Sequence, residues 1–392
     1  MSINTAINIL GAYDRHNYGD LLFPIILQNF LKDNLDNEKY SINIYAILES
    51  DLSSYGALKT KRISDLYESM KGDSSVLIVA GGDVLTAQWA SVLLALDHPG
   101  KVLMKGGRVT SRLFNRNKLA KYLLGGKSDW PFVIKKSDFQ NLKALLYNSV
   151  GGTNYHKFAN LFDGSLFGDY FSVRDEIVCN SIKKQYEAVK LVPDSAIIMS
   201  EFYPLDTLKT MISSSVSKFA QEQSYVFFQI NRTLARGKET ELAQILKSIS
   251  EKFNLKICLC PIGRANKHED HVPLQDIHAM LETQSFYIDH PSIWDTMFLI
   301  ANSRMYIGTS LHGAITAMSY NVPYMGIEVT KLNQYLKTWS VEPLNKTFKI
   351  NNILNNFNEI INVDKELLKQ SRDKQIQLVK ESFDNMIRII KD

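Results

Sequence analysis

Met305-Tyr-Ile-Gly-Thr-Ser-Leu-His-Gly-Ala-Ile-Thr-Ala-Met-Ser-Tyr-Asn-Val-Pro-Tyr-Met-Gly-Ile327 is the stretch whose reading decides the fold. Met305 to Ile307 is a short apolar run suited to a buried strand. Gly308, Thr309 and Ser310 are small enough for a tight turn. From Gly313 to Tyr320 the apolar residues Ala314, Ile315, Ala317 and Met318 fall at helical spacing. Asn321 suits a helix stop, and Pro323 cannot continue the helix. Tyr324 to Ile327 reads as the next buried strand. Strand, loop, helix and strand in this order form the repeating unit of a parallel α/β sheet. His312 stands at the mouth of that unit.

The position has chemical meaning. The first turn of a helix leaves backbone N–H groups unpaired and carries partial positive charge. It is a seat for a phosphate or carboxylate. Thr309 and Ser310 can cap the helix or give hydroxyl donors to the same anion, and an imidazole there can exchange a proton with what the anion belongs to. The other reading is a loop histidine whose ring bonds a nearby carbonyl.

The same alternation runs through the second half. Tyr225–Ile230 is a strand, Asn231–Gly237 a loop and Lys238–Phe253 an amphipathic helix. Lys256–Gly263 and Phe286–Asp289 are strands, with helices starting at Asp276 and spanning Ile293–Ala301. His268-Glu-Asp-His271 places metal-ligand types in one polar loop without a matching partner set, so no metal site is expected.

The first half repeats the pattern. Ala6–Tyr13 is a strand, Asp14–Asp20 a polar loop and Leu21–Leu31 a helix, with Asn17 or Asp20 as cap or first-turn residue. Open α/β sheets turn such a strand-to-helix loop toward a ligand. Tyr40–Leu48 is a strand. Ser75–Asp83 is a buried strand ending in Gly81 and Gly82, where backbone can approach a ligand or another strand. Gln88–Leu96 looks helical, Lys143–Gly152 is a strand, and Asp169–Asp175 ends on Arg174, with a helix through Lys184. Arg174 and Asp175 also suit a structural ion pair. The expected organisation is two Rossmann-like α/β domains, 1–205 and 220–363, with a helical tail over 364–392 that crosses back onto the first domain and braces the cleft between them.

At 392 residues the chain is long enough for two ordinary domains, and its formal charge of +4 does not point to nucleic acid. No apolar run is long enough to span a membrane. The opening residues go straight into a strand-like pattern without the charged start of a signal peptide, and Cys179, Cys258 and Cys260 read as reduced core thiols; the expectation is a cytoplasmic protein. Between Lys101 and Lys136 ten basic residues stand against the single acid Asp129, with aromatic and aliphatic residues interleaved. This is either a solvated helical face or a surface for anionic substrates or a lipid-linked acceptor at the inner face of the membrane.

Asn17-Tyr-Gly-Asp20, Ala80-Gly-Gly-Asp83, Ser172-Val-Arg-Asp175, Val192-Pro-Asp-Ser195 and Ser310-Leu-His-Gly313 occur in the order and with the spacing found in the polysaccharide pyruvyl transferases. The chain resembles that family over roughly 6–331. The resemblance implies the two-domain glycosyltransferase-B architecture. It also implies transfer of a pyruvyl group from phosphoenolpyruvate to a sugar of a surface polysaccharide or its lipid-linked precursor, forming a ketal and releasing phosphate. Phosphoenolpyruvate is then a co-substrate, and no cofactor or metal is required. The family's histidine carries over to His312 and its first-domain arginine to Arg174, as the catalytic residues. Arg232, Thr309, Ser310, Leu311 and Gly313 are the donor-side candidates. Asn17, Asp20, Gly82, Asp83 and Asn148 are the acceptor-side candidates, with Tyr18 or Trp89 to stack on a sugar ring. Two positions depart from the family pattern: many members carry arginine where Ser310 stands, and a third glycine where Asp83 stands. The competing expectations are a glycosyltransferase using a nucleotide sugar and a non-catalytic relative.

Overall fold

The computed structural model describes residues 5–72, 74–102, 115–162, 164–265 and 268–392. Two all-parallel sheets form two lobes. The first has strands β1 (Thr5–Leu10), β2 (Tyr40–Ala46), β3 (Lys61–Arg62), β4 (Ser75–Ala80), β5 (Leu142–Val150), β6 (Tyr170–Val173) and β7 (Lys190–Leu191), ordered β3-β2-β1-β4-β5-β6-β7. The second has β8 (Tyr225–Gln229), β9 (Lys256–Leu259), β10 (Ser285–Tyr287), β11 (Met305–Gly308), β12 (Tyr324–Ile327) and β13 (Thr347–Phe348), ordered β10-β9-β8-β11-β12-β13. The central strands β4, β11 and β12 are buried at every position, as expected of parallel strands covered on both faces.

Each sheet reverses its strand order once, between β1 and β4 and between β8 and β11. Ligands of open α/β sheets bind beyond the C-terminal ends of strands at such a reversal. The registers Leu10↔Val79 and Gln229↔Gly308 bring the loops after these pairs to the same edge of each sheet. The two reversal points therefore supply the loops that meet between the lobes.

The lobes are joined by backbone as well as by side chains. Tyr18 N donates to Ile262 O at 3.1 Å, Asn17 bridges Gly263, and His16 O accepts from the amides of Arg264 and Ala265. Tyr18 lies buried across the same seam, its hydroxyl 2.9 Å from Thr316 Oγ1. Ser319 Oγ donates to Ile197 O at 2.7 Å. One apolar cluster accordingly runs from β1 through the helices Tyr18–Asn34 and Leu311–Ser319 into the second sheet.

The tail forms a helix of 27 residues, Lys365–Lys391. It returns to the first lobe, where Phe383 packs on Phe30, Ser382 meets Tyr170 at 2.8 Å, and Ile390 O accepts from Lys143 Nζ at 3.1 Å. It also reaches the second lobe: Gln375 Nε2 donates to Trp339 O at 3.0 Å, while the Trp339 indole donates to Arg174 O at 2.7 Å. The tail thus holds the tryptophan that holds Arg174. Among the described residues no helix is long and apolar enough to cross a membrane.

Candidate active site

The facing loops enclose a cleft of about 770 Å³. On the second-lobe side its wall is organised by Gln229, the last residue of β8. Gln229 Oε1 accepts from Thr309 N at 3.0 Å, Thr309 Oγ1 at 3.2 Å and Ser310 N at 3.0 Å. Its amide nitrogen donates to Asp270 Oδ2 at 2.8 Å. The same carboxylate oxygen accepts from the amides of Ile262 and Gly263, while Oδ1 is buried without a hydrogen-bond partner among the described residues. Burial pushes the Asp270 carboxyl up to about 7, against the opposing pull of the Gly263 amide and Gln229.

The helix begins at Leu311, two residues earlier than its apolar spacing predicts, because Ser310 is its cap: Ser310 Oγ accepts from Gly313 N at 3.2 Å. This relocates the expected anion seat. The Gly313 amide is taken, and its α-carbon lies against the Tyr306 ring, so Gly313 is outside the cleft. The amides left without acceptors among the described residues are those of Leu311 and His312. Thr309 also differs from expectation. Its hydroxyl donates to Gln229 and accepts from Asn231 N at 3.1 Å, which commits it to the loop.

His312 lines the cleft but is only 8% exposed. Its ring lies over Gly19, where a Cβ would stand 1.9 Å from Nδ1. Phe23 meets the ring edge-on at 5.3 Å, and Gly81 packs on Phe23 in turn, at a φ of +63°. Nε2 stands 3.4 Å from Asp194 Oδ2, an ion-pair distance without hydrogen-bond alignment, and has no other partner among the described residues. The imidazole is therefore clamped in place, with an edge reaching the cleft, rather than standing free beside an anion.

Asp194 is fully buried and its Oδ2 also receives Arg174 Nη1 at 2.7 Å. Its Oδ1 accepts from Ala196 N at 3.0 Å, and its own amide donates to the Tyr335 hydroxyl. Burial opposes the charge on Asp194, but His312 and then Arg174 outweigh it and hold the carboxyl below its ordinary range. Burial likewise opposes the charge on Arg174, and the carboxylates of Asp194 and Asp83 more than offset it, raising its pKa. Arg174 pairs with Asp194, not with its neighbour Asp175, whose side chain caps the next helix by accepting from Val178 N.

On the first-lobe side Asn17, Asp20, Gly82 and Asp83 all line the cleft. Asn17 Nδ2 donates to Asp20 Oδ2 at 2.8 Å, and Arg15 stands 3.8 Å from the same oxygen. Asp83 Oδ1 accepts from Thr153 N at 2.6 Å. Three expected residues lie elsewhere. Asn148 is fully buried under the sheet edge and donates to Ser195 Oγ. Tyr18 and Trp89 are core residues, the indole of Trp89 donating to Ser128 O at 3.1 Å, so neither offers a face to a sugar.

Arg232 is also displaced from its expected role. Asn231 caps a short helix, Arg232–Ala235, which carries Arg232 to the surface, where it pairs with Glu269 at 3.0 Å. An exposed pair of this kind contributes about 0–1 kcal/mol. Arg232→Ala is expected to leave the melting curve and the steady-state kinetics of any turnover essentially unchanged, within about twofold of the parent in kcat/KM. The His268–His271 loop is divided among separate tasks: His268 lines the cleft, Glu269 takes Arg232, Asp270 is buried on Gln229, and His271 opens a helix. Among the described residues no three His, Cys, Asp or Glu side chains are grouped to hold a metal ion.

In the basic stretch, Lys101, Lys121, Lys127 and Lys136 pair with Asp97, Asp129, Glu68 and Asp169. Lys105, Arg108 and Arg112 lie outside the described residues.

The profile of the polysaccharide pyruvyl transferases matches residues 17–330, from the Asn17 loop through the His312 helix to the start of the helix after β12. The chain belongs to that family. No curated protein matches it. Among solved structures it is similar in fold to the UDP-GlcNAc 2-epimerase of Methanocaldococcus jannaschii in complex with UDP-GlcNAc and UDP, at 12% identity and a TM-score of 0.57 over 99% of both chains. It is also similar to S. aureus MnaA with UDP, at 12% identity and a TM-score of 0.58 over 99% of this chain and 96% of that one. The Rickettsia bellii UDP-N-acetylglucosamine 2-epimerase gives 12% identity and 0.57 over 99% and 96%. These likenesses establish the two-lobed, Rossmann-like fold that this pyruvyl transferase family member shares with nucleotide-sugar enzymes.

Four residues, three lining the cleft and Asp194 buried behind it, escape a reading by motif. Asp194 lies within Val192-Pro-Asp-Ser195 but carries no role until Arg174 and His312 are seen on either side of it. Gln229 and Asp270 are joined across 41 residues. Lys331 belongs to the helix Thr330–Trp339, whose signal was present in the helical spacing of Leu332, Tyr335, Leu336 and Trp339.

Proposed function

We propose that this chain transfers the pyruvyl group of phosphoenolpyruvate to a sugar of a surface polysaccharide or its lipid-linked precursor. The observation that carries the reading is the clamped His312 at the cleft wall, inside the stretch matched by the family. The donor's anionic groups lie toward the free amides of Leu311 and His312. His312 delivers a proton to C3 of the enol, leaving C2 cationic. A sugar hydroxyl adds to C2, and its proton returns to the imidazole. A second hydroxyl of the same sugar then displaces phosphate, its proton leaving with the phosphate, and closes the ketal. Asp194 Oδ2 lies 3.4 Å from Nε2 of the ring, behind the cleft wall. The acceptor lies against Asn17, Asp20 and Asp83, whose oxygens suit sugar hydroxyls.

A second reading, a glycosyltransferase with a nucleotide-sugar donor, is supported by the likeness of fold to structures holding UDP. One experiment separates the two. The protein is incubated with an oligosaccharide panel and either phosphoenolpyruvate or UDP-sugars, and released phosphate and UDP are measured. The expected result is phosphate release that depends on both phosphoenolpyruvate and glycan, with a carboxyethylidene adduct on the glycan by mass spectrometry. Release of UDP alone replaces the proposal with the second reading. Release of neither, from folded protein, favours a non-catalytic relative.

A further inference from the structure

His312 ends the first addition in its acid form: it gives a proton to C3 and takes one back from the first sugar hydroxyl. It therefore has no lone pair to offer when the second hydroxyl attacks. A neutral imidazole placed beside that hydroxyl speeds the transfer of its proton. We propose that His268 is this second proton carrier, on the acceptor side of the cleft; the inference rests on the reading that the chain closes a pyruvate ketal.

The placement supports the role. His268 lines the cleft and is half-buried. It belongs to the lobe of His312, but the seam brings it to the wall of the first lobe. There Asn17 bridges Gly263, and Tyr18 N donates to Ile262 O at 3.1 Å. The His268 side chain lies over Gly263, where a Cβ would stand 2.7 Å from its Cβ and 3.2 Å from Nδ1. Backbone bonds fix it on both sides: His268 N donates to Ala265 O at 3.0 Å, and Asp270 N donates to Gly263 O at 3.0 Å. His312 packs over Gly19 and His268 over the glycine that bridges Asn17. Both imidazoles thus stand near Asn17–Asp20, the segment assigned to the acceptor.

The ring is also chemically free. Among the described residues it makes no hydrogen bond or ion pair. Burial and then Lys331 lower its pKa; Asp20 opposes them and Arg15 adds to them, so the ring is uncharged at about pH 7. The carboxylates of the cleft are less suited. Asp20 accepts from Asn17 and faces Arg15 at 3.8 Å, and Asp83 accepts from the Thr153 amide. Asp270 Oδ2 receives Gln229 and two amides, and its Oδ1 is buried. Glu328 is exposed at the rim.

In the proposed step the second sugar oxygen bonds to C2 while its proton passes to a ring nitrogen of His268. The bond from C2 to the phosphate oxygen breaks, and its electron pair stays with phosphate. That oxygen then takes the proton from the imidazolium. His312 ends the cycle protonated and His268 neutral, each as it began.

The test is turnover of the full chain, as wild type, His268→Gln and His268→Ala, with phosphoenolpyruvate and the oligosaccharide panel, read by phosphate release and mass spectrometry of the glycan. Both variants are expected to lower kcat by about 10²-fold or more with little change in KM. They should also accumulate an open adduct, the glycan joined to phosphoenolpyruvate with its phosphate retained. Wild-type kcat should fall in acid, below the ordinary histidine value of about 6.5, and this limb should be absent from the variants. Thermal melts should match the wild type, since the ring has no partner to strand. Wild-type rates in both variants overturn the inference and leave the donor reading standing. A raised KM with kcat unchanged also overturns it, because His268 then only binds. A lowered kcat without the adduct places the loss before ring closure and overturns it too. A wild type that forms no ketal from phosphoenolpyruvate overturns the donor reading and this inference together.

Discussion

His312→Ala is expected to reduce kcat by about 10²–10⁴-fold, the usual contribution of a placed general acid–base group, while the protein stays folded. The geometry supports both halves of that expectation. The imidazole stands in the first turn of Leu311–Ser319, whose leading amides are without acceptors among the described residues, and it packs against Gly19 and Phe23. Truncation opens space beside Gly19 and removes one edge contact to Phe23, but leaves the Arg174–Asp194 pair intact. The melting curve should therefore shift only modestly. Steady-state phosphate release over a range of phosphoenolpyruvate distinguishes the roles. A catalytic histidine lowers kcat with little change in KM, whereas a residue used only for binding raises KM and spares kcat. Unchanged kcat in His312→Ala would remove the imidazole from the chemistry.

The fold was legible where a run of apolar residues was bounded by a residue that cannot continue it. Tyr324–Ile327 follows Pro323, and its strand has the boundaries the sequence suggests. The site was legible to the level of loops, not contacts. Asn17, Asp20, Asp83, Arg174 and His312 converge because each follows a strand whose C-terminal end lies at the same edge. Arg232 follows a strand too, yet the cap formed by Asn231 starts a helix that turns it outward. Asn148 is still within β5, where the side chain enters the packed interior. Spacing along a chain says which loop a residue occupies; the local cap and strand end decide which way it points. Asp194 shows the remaining limit. Its importance comes from a guanidinium and an imidazole brought from different strands and helices, and no pattern within Val192–Ser195 encodes them.

That same carboxylate bears the largest expected effect on stability. Asp194→Ala is expected to cost about 3–5 kcal/mol, because it strands the Arg174 guanidinium, 5% exposed, without its anion. It also takes the acceptor from Ala196 N. The measurement is the shift in the urea midpoint at constant slope. The pH dependence has a definite sign. The folded pKa of Asp194 is held below its unfolded value, so the unfolded chain binds the proton more readily. The carboxylate's contribution is therefore present in full above the unfolded value of about 4 and is lost only as pH falls through the lower, folded value. The gap between parent and variant should persist at pH 5 and narrow in stronger acid. A double variant, Arg174→Met with Asp194→Leu, separates a stranded charge from lost packing. If the stranded guanidinium is the cause, the double variant recovers most of the stability while remaining inactive. If it is no more stable than Asp194→Ala, the cost lies instead in the lost acceptor for Ala196 N, and the ion pair is only a spectator of the fold.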